Sequence, residues 1–281
     1  MRSPLTRPFH TPADLLMLGS FGVYSFVYPF AILLMSFDWM PFGMEWMSSL
    51  LLALLGLSCA GWLWANYGRR GLAVAALLFV LGVGLEYMGV LTGFPFGSYR
   101  YTSVLVPELP GGVPVAIGFA WLLIVISGSF TASRLILLGS RSAVRVAALS
   151  LLGALFAVGL GLLLEPVAYH VKGYWQWLAG SGAYYDIPWS NFVAWFVAAA
   201  AFAVPLALLY TAQKASSRSW LPVTLYTMNV VMFGIVNIAH GFWWPGLVGL
   251  ILLGGVWAGN RRMMSRFGVE HFSLSWPKGV E

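Results

Sequence analysis

Two apolar stretches of this chain end in the same dipeptide, Leu-Glu, at Glu86 and Glu165. Glycine and aromatics follow each: LEYMGVLTGFPFGSYRY in the first case, LEPVAYHVKGYWQWLAGSGAYYDIPWSNFVAW in the second. A carboxyl group is costly beside lipid, so one kept at the end of an apolar run points to a functional site. Tyrosines are paired near both acids. Tyr99 and Tyr101 flank Arg100, and Tyr184 and Tyr185 precede a third acid, Asp186. His170, Asn191, Trp195, Asn237 and His240 fall at the same ends of the apolar runs. The chemistry open to this set is proton donation and removal by carboxyl, phenol, imidazole and amide groups.

Helical spacing says which way the acids point. Gly82, Glu86, Gly89 and Gly93 share one face. Small residues mark the faces on which membrane helices pack, so Glu86 is expected inside a bundle. Ala154, Val158, Gly161, Glu165 and Tyr169 repeat the pattern, and Pro166 ends or kinks that helix. Tyr226, Asn229, Phe233, Asn237 and His240 form a polar stripe on a later run. Structural readings stand beside the chemical ones. Glu86 could only bridge two helices, and Glu165 could sit in headgroup water. Asp186 could only complement a helix N-terminus, and the tyrosines and tryptophans could form an interfacial belt.

The elements that must hold these residues follow from composition. Of the 281 residues, 60% are hydrophobic and 9% are charged, against about 25% charged in soluble domains. Apolar runs of roughly 20 residues fit membrane-crossing helices, and their continuity excludes a barrel of alternating strands. Eight are expected: 14–37, 47–64, 71–91, 113–138, 144–165, 191–210, 220–239 and 242–258, with the last the shortest and a count of seven the alternative. The fold class is therefore all-α, a polytopic transmembrane helical bundle, and residues 1–281 read as a single domain. The segment after Arg2 and Arg7 reads as an uncleaved first span. Cys59, the one cysteine, lies within a span and is expected to pack there.

Charge sorts across this arrangement. Asp38, Glu45, Glu86, Glu108, Glu165 and Asp186 fall on one side, while 13 of the 15 Lys and Arg residues fall on the other. These are Arg2, Arg7, Arg69, Arg70, Arg134, Arg141, Arg145, Lys214, Arg218, Arg261, Arg262, Arg266 and Lys278; Arg100 and Lys172 lie opposite. The positive-inside bias puts both termini in the cytoplasm and the protein in the cytoplasmic membrane. The net charge of +6 is thus a topology signal, and no nucleic acid partner is expected. The longer loops, 92–112 and 166–190, lie on the acidic side. They are expected to fold back onto the bundle mouth as a parallel repeat.

Several chemistries lack their motifs. There is no His cluster for a di-iron centre, no paired Cys for zinc, no Asp-rich diphosphate site and no dinucleotide fingerprint. No metal or cofactor is expected. In the blocks quoted above, together with the VPVAIGFAW return, the chain resembles the membrane carotenoid 1',2'-hydratases of the CruF type, over roughly residues 70–260. Glu165-Pro166 stands where that family usually has Asp-Pro, Asp186 where it has a small residue, and Ala194 where Gly is common.

The resemblance implies water addition to the terminal double bond of an acyclic or monocyclic carotenoid, of the lycopene or γ-carotene type. Protonation would give a tertiary carbocation, and water would then attack it. A buried carboxyl can stay protonated near neutral pH and supply the proton. Aromatic faces can stabilise the cation. On that reading Glu86 is the donor, and Glu165 or Asp186 positions and deprotonates water. Tyr99, Tyr101 and Tyr185 line the cation site, and Asn191 bonds at the cavity wall. Arg100, Trp195, His170, Asn237 and His240 complete the expected substrate-binding set. The expected partners are a carotenoid drawn from the bilayer, membrane lipids and other carotenoid-pathway enzymes. Rival readings are a carotenoid end-group cyclase or isomerase, a transporter, and a pigment-binding scaffold.

Overall fold

A computed structural model describes residues 11–136, 143–178, 182, 184–212 and 220–266. Seven helices run through them: α1 (Pro12–Ser36), α2 (Trp46–Thr92), α3 (Val115–Ser133), α4 (Ala143–Pro166), α5 (Trp189–Ala212), α6 (Leu221–Ala239) and α7 (Trp243–Arg266). Helices α1 to α6 are long and apolar enough to cross a membrane. Helix α7 is longer than the expected 242–258 run, but it carries Arg261, Arg262 and Arg266 and is not among those six. The expected 113–138 run stops as a helix at Ser133. Arg2, Arg7, Arg141, Lys214, Arg218 and Lys278 lie outside the described residues.

Helix α2 holds 47 residues, about twice the length of one span, and breaks at Gly68 (φ 61°, ψ −143°). Only glycine adopts that conformation without strain. The chain doubles back there. Leu55 and Glu86 line one cavity, although a straight helix would separate them by about 46 Å. The two limbs correspond to the expected 47–64 and 71–91 runs.

Helix α3 is the axis of the bundle. Only Val115, Phe119 and Ser133 escape full burial, as expected for a helix that is apolar on every side. It packs against α2, α4, α5 and α6.

The two long loops meet. Strand β1 (Tyr99–Tyr101) pairs antiparallel with β4 (Trp175–Trp177), matching Tyr99 with Trp177, Arg100 with Gln176 and Tyr101 with Trp175. Side chains alternate across a strand. Tyr99, Tyr101, Trp175 and Trp177 therefore share the face lining the cavity below. Arg100 and Gln176 share the outer face, where Arg100 Nη2 donates to Gln176 Oε1 at 2.8 Å. A short hairpin, β2 (Glu108–Leu109) with β3 (Val113–Pro114), leads into α3. A π-helical turn, Val167–Val171, follows Pro166. The Ser190 hydroxyl ties the start of α5 to the Phe96 carbonyl at 2.6 Å.

Candidate active site

Glu86 lies in the second limb of α2 and is 7% exposed. The glycine face predicted from spacing turns inward: a Cβ at Gly82 would sit 2.8 Å from Trp121 side-chain atoms, and one at Gly89 would sit 2.7 Å from the Tyr99 hydroxyl. Those aromatics bind the acid. Tyr99 Oη and Tyr101 Oη each donate to Glu86 Oε2 at 2.6 Å, and Trp121 Nε1 donates to Oε1 at 3.0 Å. Two carboxylate oxygens offer about four acceptor positions. Three are filled, and the one left open is on Oε1. Burial, with Glu86 alongside, holds both phenols far above their ordinary pKa, so they stay O–H donors.

Glu165 closes α4 and is 2% exposed. Asn191 Nδ2 donates to its Oε1 at 2.6 Å. Its buried Oε2 and the Trp175 indole N–H make no close hydrogen bond, though the two side chains interact loosely, and the Trp177 indole nitrogen is buried with no hydrogen-bond partner. Gly161, one turn earlier, lets α5 approach closely: a Cβ there would come 2.8 Å from the Trp195 ring.

Both acids face one partly open cavity, with about 1280 Å³ of space that includes its mouth. Its walls are apolar or aromatic, including Leu55, Phe96, Ile117, Ile124 and Phe233. Trp121 lies 5.4 Å from Trp195 between ring centroids, and Tyr101 lies 6.0 Å from Trp175. From α1, Val27, Phe30 and Leu34 line the same space. Such a chamber suits a large hydrocarbon, with two carboxyls and several π faces at one end.

The sequence profile of a family described as carotenoid biosynthesis protein matches residues 46–256, a stretch containing both acids, both loops and the whole of α3. The chain belongs to the carotenoid biosynthesis protein family. It is 30% identical over 196 residues to a protein named bisanhydrobacterioruberin hydratase from Haloarcula japonica. That match covers 67% of this chain and 64% of the relative. No solved structure matches. The apolar helices and the family together make this an integral membrane protein.

Within this carotenoid-biosynthesis chain, Glu86, Glu165, Tyr99, Tyr101, Asn191 and Trp195 meet at the cavity. Six other expected site residues do not. Asp186 is exposed and lies outside the lining. The Tyr184–Ile187 bridge closes a turn in which Tyr185 (φ 49°) and Asp186 (φ 62°) are left-handed. Tyr185 instead packs on Phe242, with ring centroids 4.9 Å apart, and its hydroxyl accepts from Trp244 N at 3.3 Å. His170 Nε2 lies 2.9 Å from the Tyr185 carbonyl, and His240 Nε2 lies 2.8 Å from the Met35 carbonyl. Asn237 Nδ2 donates to the Leu163 and Phe233 carbonyls, both at 2.7 Å. Arg100 is on the outer strand face. In every case but Asp186, a backbone group or strand alternation takes up the side chain.

Sequence reasoning alone weights Trp121, Trp175 and Trp177 towards belt or packing roles. The two-residue spacing of Trp175 and Trp177, matching Tyr99 and Tyr101, is the signal of paired strands that could have found them. Lys172 also lines the cavity. Burial draws its amine below the usual lysine range, with the charges of Asp38 and Glu45 opposing.

Proposed function

We propose that this protein hydrates the terminal 1,2 (1',2') double bond of an acyclic or monocyclic carotenoid, of the lycopene or γ-carotene type. The observation that carries the proposal is the unequal dress of two buried carboxyls facing one aromatic cavity. Glu86, with three donors already aimed at it, is the proton donor. Tyr99, Tyr101 and Trp121 stabilise the carboxylate that proton loss leaves, and fixed donors of this kind favour the transition state over the ground state. The proton on Oε1 passes to the less substituted alkene carbon, leaving a tertiary cation. The faces of Trp121, Trp175, Trp177 and Trp195 hold that cation by cation–π attraction without trapping it.

Water then attacks the cation. Glu165 Oε2, which no side chain holds as closely as Asn191 holds Oε1, accepts a hydrogen bond from that water and takes its proton, while Asn191 fixes the carboxylate through Oε1. The acids begin and end with one proton between them. Its return from Glu165 to Glu86 completes a cycle whose only net change is one water added across the double bond. The hydratase name of the relative supports this reading.

The same proposal includes membrane topology. With α2 crossing twice and α7 crossing, there are eight crossings. Arg69, Arg70, Arg134, Arg261 and Arg262 then share one side, and the positive-inside bias makes it cytoplasmic, with both termini there.

Expression in lycopene-producing bacteria tests the reaction. Pigments gaining the mass of one or two waters are expected. Rearranged pigments of unchanged mass would mean a cyclase or isomerase instead, and untouched pigment bound to the protein would mean a scaffold.

A further inference from the structure

We infer that the cavity opens sideways into the bilayer, between α1 and the first limb of α2, and that one end of a long hydrocarbon enters there while the rest of it stays in lipid; this rests on the carotenoid reading above. Of the described residues that line the cavity, Phe30 of α1 alone is exposed, at 53%. Val27 and Leu34 beside it, with Met47 and Leu51 of α2, line the cavity half-buried. All five side chains are apolar, so a hydrocarbon passes them without displacing a polar contact.

The packing of α1 accounts for an opening on this side. Away from the loops, α1 and α2 are in close contact: a Cβ at Gly61 would sit 2.7 Å from the Met17 nitrogen. Towards the loops the cavity lies between them, and both helices line it. The other flank of α1 is tied shut. Tyr28 Oη donates to the Met228 carbonyl of α6 at 2.8 Å, and His240 Nε2 lies 2.8 Å from the Met35 carbonyl. Pro29, inside α1, removes a backbone hydrogen bond just before Phe30, and helices bend at such positions.

The opening is level with the proton donor. Phe30, Leu51 and Glu86 each lie roughly 8–9 Å of helical rise from the loop-side end of their limb. That depth falls within the hydrocarbon of a bilayer about 30 Å thick. The lining of α1 from Tyr24 to Met35 covers roughly 16 Å of rise. A conjugated carotenoid is stiff and longer than that, so its second end stays outside when the first reaches Glu86. Each end of a symmetric carotenoid is then hydrated on a separate visit.

Phe30→Cys and Leu51→Cys, made in the full-length protein, are to be labelled with a bulky thiosulfonate in detergent and returned to liposomes containing lycopene. The native Cys59 is fully buried and stays unlabelled. Both labelled variants are expected to lose most of their hydration relative to the same variants unlabelled, and to retain less pigment when repurified. Val80→Cys, at a position 65% exposed on the second limb of α2 and outside the lining, should lose neither when labelled. With the unsubstituted protein and excess lycopene, singly hydrated pigment should appear in the lipid before doubly hydrated pigment. Full hydration and pigment retention in both labelled variants, or doubly hydrated pigment as the first product, would overturn the inference. Pigment retention is read without the chemistry. If the unsubstituted protein leaves lycopene unhydrated while the labels at Phe30→Cys and Leu51→Cys still exclude pigment, the hydratase reading falls and the portal stands.

Discussion

The corner around Glu86 and the corner around Glu165 are built from similar sequence and finished differently. Both acids lie in the last turns of an apolar limb with glycine on the inward face. Both precede an aromatic loop, and those loops pair as β1 and β4. Yet three side chains donate directly to Glu86, whereas only Asn191 holds Glu165 by a close hydrogen bond and Trp175 reaches it loosely. Proton transfer to an alkene needs the conjugate base stabilised in advance. Holding a water needs an acceptor that the protein does not hold closely. A single repeated corner could serve only one of these tasks.

The sharpest way to break this comparison is to neutralise each acid in turn. Glu86→Gln removes the proton itself and is expected to lower hydration by about 10³-fold or more, within the span of general acid catalysis. Full activity in that variant would end the donor assignment. Glu165→Gln should also lose hydration, by about 10²-fold, but it should still protonate the alkene. In deuterated water the Glu165→Gln protein would exchange deuterium into recovered pigment and the Glu86→Gln protein would not. Equal exchange in both variants would erase the difference between the corners.

Tyr101→Phe removes one of the two phenols on Glu86 Oε2. A bond to a charged group contributes about 1.5–3 kcal/mol, so activity should fall by about 10- to 100-fold. The loss should appear in kcat rather than in pigment affinity, because that donor acts on charge that develops during the reaction. Asp186→Asn should change hydration by less than about twofold, since an exposed residue outside the cavity touches neither corner. A large effect there would move the water-activating role away from Glu165.

Much of this contrast is legible in the amino-acid sequence. A carboxyl on a glycine-lined helical face has to point at protein, which marks Glu86 and Glu165 as inward groups. Loops rich in aromatics cannot lie free, which accounts for their return to the bundle mouth. Partners brought in from distant elements are not legible. Whether Trp175 belongs to a belt or a cavity depends on its pairing with Tyr101 across the molecule, and helical spacing carries no such register. Asp186 misleads because closeness in sequence to Tyr184 and Tyr185 says nothing about a left-handed turn that leaves it exposed. His170, His240 and Asn237 reach the right end of the bundle, but backbone carbonyls engage them there.

The enclosed position of α3 bears on how the protein is made. Its ring of neighbours includes α4, α5 and α6, which are all synthesised after it. When Val115–Ser133 first leaves the ribosome, these three neighbours have yet to be made. By then the chain already carries Glu86, Tyr99, Tyr101 and Trp121, the complete first corner. Glu165, Asn191 and Trp195 arrive later, on α4 and α5. The Glu86 corner is thus synthesised in full before any residue of the Glu165 corner.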